Sequence, residues 1–392
     1  MKIGIVIFTD DAQIGGGVTY VQQILQALVK NVPVIQHSFC LIGAASKPAH
    51  VAHIDLPWVE VPRWEPGQGA APDAVEYYSA VQRENFDLLL FLHPWSHVTC
   101  PIRDIPYISN VWDLQHRLQP FFPEVSSHGE FDRREEMYRR ALQRAALVIA
   151  VNQVGKREVT AFFQVAPERV RTIPLPTPAF ALEADPAGES DILDRLGLTG
   201  EYLFYPAQFW PHKNHILLVL MLKRLQRMHG LDLKLVLTGS DRGNQPYIRE
   251  KAASLGLEKK VVFAGYVSQL DLITLYRKAV ALVFPSLFGP ENFPPLEAFA
   301  LGCPVIAADV AGAREQLGEA AILLDPTSPE DWSQAVVRLR QDADLRQSLI
   351  AKGRKRAQRN SPQDFTRELL ALFDEFALYR RTWSSEQVRS EE

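Results

Sequence analysis

Residues 281–308 read ALVFPSLFGPENFPPLEAFALGCPVIAA and contain a complete strand, loop, helix and strand pattern. Apolar residues dominate 281–286 and 304–308, which predicts two buried parallel strands. Between them, Pro294 and Pro295 stand where a helix can begin, because a first turn tolerates residues that donate no N–H. Short apolar runs alternate with amphipathic segments along the whole chain, so we predict an α/β protein built on parallel sheets.

The alternation occurs twice, and 392 residues exceed what one hydrophobic core normally supports. A connector rich in proline and small or acidic residues, 172–190, separates the halves. We predict an N-terminal domain over 1–180, a C-terminal domain over 190–360, helices near 329–360 and 362–383, and a disordered tail over 384–392. The predicted strands are 2–8, 38–42, 87–92, 107–111 and 147–151 in the first half, and 202–207, 233–238, 261–266, 281–286, 304–308 and 321–325 in the second.

Composition excludes several classes of protein. The formal net charge of −4 argues against a dedicated nucleic-acid binder. Cys40, Cys100 and Cys303 are widely spaced, which excludes a disulfide framework and an obvious zinc site. No stretch reaches bilayer length, and the apolar start is followed by Asp10 and Asp11, so a first strand is a better interpretation than a signal sequence. We therefore expect a cytoplasmic protein.

Two candidate sites follow strands at the start of each half. Gly15, Gly16 and Gly17 precede a helix predicted from 18 to 31, where backbone could approach an anion; a flexible loop is the alternative. In the second half, Lys213 lies at a strand-to-helix turn that opens at Asn214, a good N-cap residue. A lysine there can meet a phosphate that also faces the helix dipole. A solvated surface lysine is the alternative.

Two further clusters follow strands of the central pattern. In the segment 284–300, a loop links a strand to a helix, and Asn292 and Phe293 can supply backbone N–H groups there. Glu297 is predicted in the first turn of the helix, where it could bind sugar hydroxyls. Asp113 and His116 follow the strand 107–111, and a carboxylate and an imidazole so close suit binding or acid–base roles. Structural roles remain the alternative for both clusters. The tight acidic pairs Asp10-Asp11 and Asp342-Ala-Asp344 belong to no histidine cluster, so we predict no metal site.

Taken together, FGPENFPPLEAFALGCP (288–304), YPAQFWPHKNH (205–215) and the triple glycine resemble the retaining GT-B glycosyltransferases, specifically the GT4-like, or group 1, family. The resemblance covers nearly the whole chain. It implies two doubly wound, Rossmann-like domains facing across a cleft, with the final helix crossing back to the first domain. The second domain is then expected to bind a nucleotide-sugar donor, and the first an acceptor.

The resemblance also implies roles for individual residues. Lys213 corresponds to the family's donor-phosphate lysine and Glu297 to the carboxylate that holds the donor ribose. The remaining expected donor-binding residues are the glycines 15–17, Gln208, Gly239, Tyr266, Val267, Glu291, Asn292 and Phe293.

Three positions depart from the family pattern. The usual arginine partner of the phosphate lysine is Gln208 here, so one positive charge is missing. The first of two glutamates spaced eight apart is Gly289, and Glu291 lies nearby. The first domain's usual His-Asp is Trp112-Asp113, with His116 three residues later.

The expected function is retaining transfer of a sugar to an acceptor hydroxyl without metal or cofactor, with Lys213, Asp113 and His116 as catalytic candidates. A glycan or lipid-linked acceptor is expected, and the sequence leaves the nucleotide, the sugar and the oligomeric state open. A nucleotide-sugar epimerase or phosphorylase, or a non-catalytic nucleotide-binding relic, remain alternatives. The arginines at 133, 134, 139, 140 and 144 also leave open a peripheral contact at the inner membrane surface.

Overall fold

The structure is a computed structural model that describes residues 1–7, 15–31, 36–44, 46–62, 71–94 and 104–383. The chain divides into two compact units. The first comprises Met1–Leu114, Phe131–Pro174 and the C-terminal residues from Pro362, and the second comprises Gln115–Glu130 and Leu175–Ser361.

The first unit contains a parallel sheet. Its described strands are β1 (Lys2–Val6), β2 (Ser38–Ala44), β3 (Trp58–Val61), β4 (Leu88–Phe91), β5 (Tyr107–Val111), β6 (Leu147–Ala150) and β7 (Val170–Thr172). They lie in the order β3-β2-β1-β4-β5-β6-β7. The two edge strands were not predicted, because each has only three or four residues and carries a charged one, and so forms no apolar run.

Helices of the first unit, numbered along the whole chain, are α1 (Gly15–Asn31), α2 (Ala71–Arg83), α5 (Glu130–Arg144), α6 (Gln153–Phe163) and α16 (Pro362–Arg380). The C-terminal α16 packs against α1. Its buried residues Phe365, Leu369 and Phe373 recur at helical spacing, and the Phe365 ring meets Tyr20 of α1 edge-on at 5.7 Å. The apolar stripe of α16 therefore fixes the end of the chain to the first unit.

The second unit contains a second parallel sheet, and all six of its predicted strands are confirmed. They are β8 (Tyr202–Pro206), β9 (Lys234–Thr238), β10 (Val261–Gly265), β11 (Ala281–Phe284), β12 (Val305–Ala308) and β13 (Ala321–Leu324). Their order is β10-β9-β8-β11-β12-β13. The strands β8, β9, β11 and β12 are almost entirely buried, as expected for central strands covered by helices.

The helices of the second unit are α3 (Gln115–Leu118), α4 (Pro123–Ser126), α7 (Ala179–Leu182), α8 (Ile192–Arg195), α9 (His215–His229), α10 (Gln245–Ser254), α11 (Gln269–Lys278), α12 (Phe293–Leu301), α13 (Ala313–Leu317), α14 (Pro329–Gln341) and α15 (Ala343–Ala357). The helical segment predicted over 329–360 is two helices, because Asp342 leaves the helical conformation and its side chain accepts the Leu345 N–H at 2.8 Å. Asp342 therefore caps α15. In the described part of the chain, no helix combines the length and apolar character needed to cross a bilayer.

Candidate active site

The sheet of the second unit brings three loops to one edge. β9, β8 and β11 are parallel neighbours, so the loops after their carboxyl ends lie side by side. These loops carry Gly239, the segment 207–214 with Gln208 and Lys213, and the segment 285–292 with Glu291 and Asn292. The fold therefore gathers residues that lie far apart in sequence.

Lys213 ends a 3-10 turn, Pro211–Lys213, immediately before α9. Its ammonium Nζ donates to Ser286 Oγ and to Asn292 Oδ1, each at 3.4 Å, and lies 5.6 Å from the Phe284 ring centroid. The buried Tyr205 hydroxyl donates to the Lys213 carbonyl at 2.9 Å. The turn and its side chain are therefore held at the edge of the sheet, where a phosphate facing the α9 N-terminus could meet the ammonium.

Asn214 occupies the predicted N-cap of α9, but its side chain does not cap the helix. The residue has a positive φ of 55°, which asparagine tolerates better than most side chains. Its amide donates to the carbonyls of Pro285 and Pro326 at 3.3 and 2.8 Å. Asn214 therefore ties the Lys213 turn to the loop after β11.

The segment Gln115–Glu130 also supports the Lys213 turn. It follows β5 in the sequence but belongs to the second unit. The Glu124 carboxylate accepts the His212 backbone N–H at 3.1 Å and lies 2.5 Å from His212 Nδ1. Gln119 donates to the Leu287 carbonyl at 2.9 Å. Contacts with His212 lower the pKa of Glu124 despite the opposing effect of burial, so the group is ionised at neutral pH. Sequence reasoning missed Glu124, and no local motif would have identified it.

Gln208, the position of the missing arginine, is half-buried between two polar neighbours. Its amide donates to Ser240 Oγ at 3.2 Å and accepts from the Trp210 indole at 3.0 Å. Gly239 lies against the same segment with a φ of 120°, and a Cβ there would come within 2.5 Å of the Ala207 carbonyl oxygen. Only glycine fits this close approach, and the role of position 239 in lining the donor site stays a prediction.

Asn292 and Phe293 stand at the start of α12. The Asn292 N–H donates to Gln316 Oε1 at 3.1 Å, and Gln316 Nε2 donates back to the Asn292 carbonyl at 2.8 Å. The backbone donor predicted at Asn292 is therefore already used within the protein. Pro294 and Pro295 have no N–H and so supply no backbone donor at this helix end, and the predicted role of the Phe293 N–H stays a prediction.

Glu297 lies in the second turn of α12, which corrects its prediction as a first-turn residue, because the helix begins at Phe293. Its carboxylate accepts a 2.7 Å hydrogen bond from the Tyr276 hydroxyl. Burial raises the pKa of Glu297 to about 7, although that hydrogen bond opposes the shift. Glu297 is thus held by a tyrosine from α11 rather than by the helix dipole.

Glu291 faces the connector between the halves of the sequence. Its carboxylate accepts the Leu175 N–H at 2.6 Å, and burial raises its pKa to about 8. The Leu175 carbonyl in turn accepts a hydrogen bond from the Asn360 side-chain amide at 3.0 Å. Glu291 therefore anchors the first residue of the second unit's main segment.

Tyr266 and Val267 follow β10, which ends at Gly265 with a φ of 67°. The Tyr266 side chain is 94% exposed. The turn is thus accessible at the edge strand of the sheet, and its predicted contact with a nucleobase stays a prediction.

In the first unit, further candidate residues lie near the carboxyl ends of the neighbouring strands β1, β4 and β5. The triple glycine is not a loop, because Gly15 to Gly17 form the first turn of α1. A Cβ at Gly17 would lie 3.0 Å from the Trp112 ring and 3.3 Å from His93 Nε2. Burial lowers the pKa of His93 to about 4, so its imidazole is neutral at neutral pH. Sequence reasoning missed His93, although it directly follows a predicted strand.

Asp113 and His116 belong to different units. Asp113 lies in the first unit, where its carboxylate is 3.8 Å from the Arg134 guanidinium. Burial, together with the negative charge of Asp113, raises the pKa of Glu158 to about 7. His116 lies in the second unit, on α3, and is fully buried.

Of the two tight acidic pairs in the sequence, Asp10 and Asp11 lie outside the described residues, and Asp342 serves as a helix cap.

Comparison with known families follows the same division of the chain. Residues 14–178 match the Glycosyltransferase Family 4 model, and residues 195–356 match the model of Glycosyl transferases group 1. The chain belongs to the group 1, family 4 glycosyltransferases. Lys213, Gln208, Gly239, Asn292 and Glu297 all fall within the group 1 match.

Among curated proteins, this group 1 chain is similar to O-antigen chain mannosyltransferase B of Escherichia coli, with 25% identity over 64% of this chain and 66% of the relative. It is also 24% identical to the O-antigen chain mannosyltransferase RfbU of Salmonella typhimurium, over 60% of this chain and 63% of that protein. Each match thus spans just under two thirds of the relative.

Solved structures share the fold over nearly the whole chain. HepE of Anabaena, in a crystal structure with UDP-glucose, superposes with a TM-score of 0.74 at 19% identity, covering 96% of this chain and all of that one. WaaG, a glycosyltransferase involved in lipopolysaccharide biosynthesis, superposes with a TM-score of 0.68 at 15% identity, covering 94% and 99%. The predicted GT-B architecture is thereby confirmed for this group 1 chain.

Proposed function

We propose that the protein transfers a sugar from a nucleotide-sugar to an acceptor hydroxyl, with retention of configuration and without a metal ion, in the synthesis of a polysaccharide or another glycan. The observation that carries the proposal is the Lys213 ammonium, held by Ser286 and Asn292 at the carboxyl edge of the second sheet. Membership of the family and similarity to O-antigen mannosyltransferases support the reaction class.

The chemistry requires a leaving diphosphate to be stabilised as its bond to the sugar breaks. The sugar C1–O bond lengthens, the acceptor oxygen bonds to C1 on the same face, and the acceptor proton passes to the departing phosphate oxygen. Lys213 and the Phe293 N–H would stabilise the growing negative charge, which is usually the largest contribution to such a reaction. Glu297 would accept hydrogen bonds from the donor ribose, and Asp113 would orient the sugar or the acceptor. The catalytic role predicted for His116 could be exerted only through its neighbours, because its side chain is fully buried.

The first experiment identifies the donor. UDP, GDP and dTDP are added separately and the shift in thermal unfolding is measured; a ligand at 100 times its Kd stabilises the fold by about 2.7 kcal/mol. The matching nucleotide-sugar is then incubated alone, with phosphate, or with glycan acceptors, with and without EDTA. Transfer only to an acceptor, unaffected by EDTA and with the anomeric configuration kept in the product, supports the proposal. Epimerised donor or sugar phosphate as the product contradicts it.

Lys213→Ala tests the role of the ammonium directly. We expect turnover to fall by about 10²- to 10³-fold, the range found when a preorganised charge-stabilising donor is removed. Lys352→Ala, at an exposed lysine paired with Glu319, is the matched control and should keep normal turnover. Near-normal turnover of a folded Lys213→Ala protein would refute the role of Lys213.

A further inference from the structure

Asn292 is the N-cap residue of α12, but its side chain makes no capping hydrogen bond. Asparagine is favoured at N-caps because its side-chain oxygen accepts the N–H of the second or third helical residue. Here those residues are Pro294 and Pro295, which have no N–H. The proline pair therefore releases the Asn292 carboxamide from the role that this position normally gives it.

The released carboxamide has a fixed position and orientation. Its Nδ2 donates to the Gly289 carbonyl at 3.0 Å, and its Oδ1 accepts from Lys213 Nζ at 3.4 Å. A flipped amide would place two donors together and two acceptors together, so these contacts define which end faces which neighbour. The Gln316 side chain holds both the N–H and the carbonyl of the Asn292 backbone.

Gly289 makes room for this arrangement. Its φ is 129°, and a Cβ built there would lie only 2.7 Å from Asn292 Nδ2 and 2.8 Å from Oδ1. Any side chain at position 289 would therefore compete with the Asn292 carboxamide for one space. The absence of a side chain at Gly289 therefore leaves the space beside Lys213 to the Asn292 carboxamide.

We propose that the Asn292 carboxamide recognises hydroxyl groups on the sugar half of the donor. This inference rests on the proposed function, in which Lys213 binds the diphosphate and Glu297 the ribose. Asn292 contacts Lys213 and precedes Glu297 by five residues, about 7.5 Å of helix rise, so it lies toward the other end of the diphosphate, where the sugar is attached.

The chemistry of the group fits a sugar. An amide nitrogen carries two N–H donors and the oxygen two lone pairs, and each end makes one described hydrogen bond, which leaves one donor and one acceptor for hydroxyls. Because the carboxamide is neutral, it orients the Lys213 ammonium without cancelling its charge. A carboxylate at the same place would weaken the attraction between Lys213 and a diphosphate.

The test separates contact with the sugar from support of Lys213. Isothermal titration measures the Kd of UDP, UDP-glucose, GDP and GDP-mannose for the wild type, Asn292→Ala and Asn292→Asp. Gln334→Ala, which removes an exposed amide in contact with Glu330, is the matched control. We expect Asn292→Ala to keep the nucleotide affinity within about threefold while weakening the nucleotide-sugar and lowering kcat/KM at least tenfold, and Asn292→Asp to weaken both ligands.

Equal weakening of nucleotide and nucleotide-sugar by Asn292→Ala would overturn the proposal, because the residue would then act only through Lys213. Unchanged affinity for both would overturn it as well. The Gln316 contacts use backbone atoms and survive in every variant; if the alanine protein does not fold, Asn292→Ser is measured by the same criteria. Failure of the wild type to bind any of the four probes, and dTDP as well, would count against the proposed function instead.

Discussion

Replacing Tyr276 by phenylalanine should destabilise the protein more at alkaline than at acidic pH. Tyr276 and Glu297 are both buried, and the 2.7 Å hydrogen bond between them is the one described side-chain contact of the carboxylate. The Glu297 pKa of about 7 lies above the ordinary 4.5, so the native state holds this proton more tightly than the unfolded state. The contribution of Glu297 to stability is thus fully present below about pH 4.5 and is lost as pH rises through 7.

The size of the effect follows from the charge of the acceptor. A hydrogen bond to an ionised group contributes about 1.5–3 kcal/mol, and one between neutral groups about 0.5–1.5 kcal/mol. Since one pKa unit corresponds to about 1.4 kcal/mol, loss of the hydroxyl should raise the pKa of Glu297 by about one further unit. Tyr276→Phe should therefore cost about 1 kcal/mol near pH 5.5 and about 2 kcal/mol near pH 8.5.

Urea unfolding of the variant and the wild type at the two pH values measures this difference. The control is Tyr202→Phe, because the buried Tyr202 hydroxyl donates to the neutral Leu275 carbonyl at 2.9 Å. That variant should lose about the same free energy of unfolding at both pH values. A loss in Tyr276→Phe that is equally independent of pH would refute the reasoning. Nucleotide affinity, if it depends on ionised Glu297, should also shift its pH midpoint upward in this variant.

Two other changes give defined outcomes. Gly239→Ala should lower the free energy of unfolding by about 3 kcal/mol and weaken donor binding, because its Cβ would overlap the Ala207 carbonyl. The control is Gly243→Ala, also at positive φ but with open space around its Cβ, which should lose about 1 kcal/mol in the same denaturation assay. Glu124→Gln should lower the free energy of unfolding by about 2 kcal/mol at pH 7, together with turnover, because the His212 contacts lose their charge. The loss should shrink as pH falls through the lowered pKa of Glu124, and a loss independent of pH would contradict this account.

The local sequence was sufficient to predict those features that depend on a single residue type or on the spacing of apolar residues over a short stretch. The apolar runs of the second half located all six strands there, and the motifs 205–215 and 288–304 indicated the family and the positions of Lys213 and Glu297 relative to strand ends. Such features depend on burial period and on backbone chemistry, both of which a single stretch of chain displays. The edge strands β3 and β7 escaped because a charged residue, Glu60 or Arg171, interrupts each of these short apolar runs, whereas the equally short β13 is apolar throughout.

By itself, then, the sequence determined the parallel α/β architecture, the family and most candidate residues. Tertiary structure alone decided which partners those residues have: Tyr276 for Glu297, Leu175 for Glu291, Glu124 for the Lys213 turn, and Gln316 for Asn292. It also placed Asp113 and His116 in different units, although three positions separate them. The physical reason is that hydrogen bonds and burial depend on distance in space, and parallel sheets bring together loops that lie many residues apart in the chain.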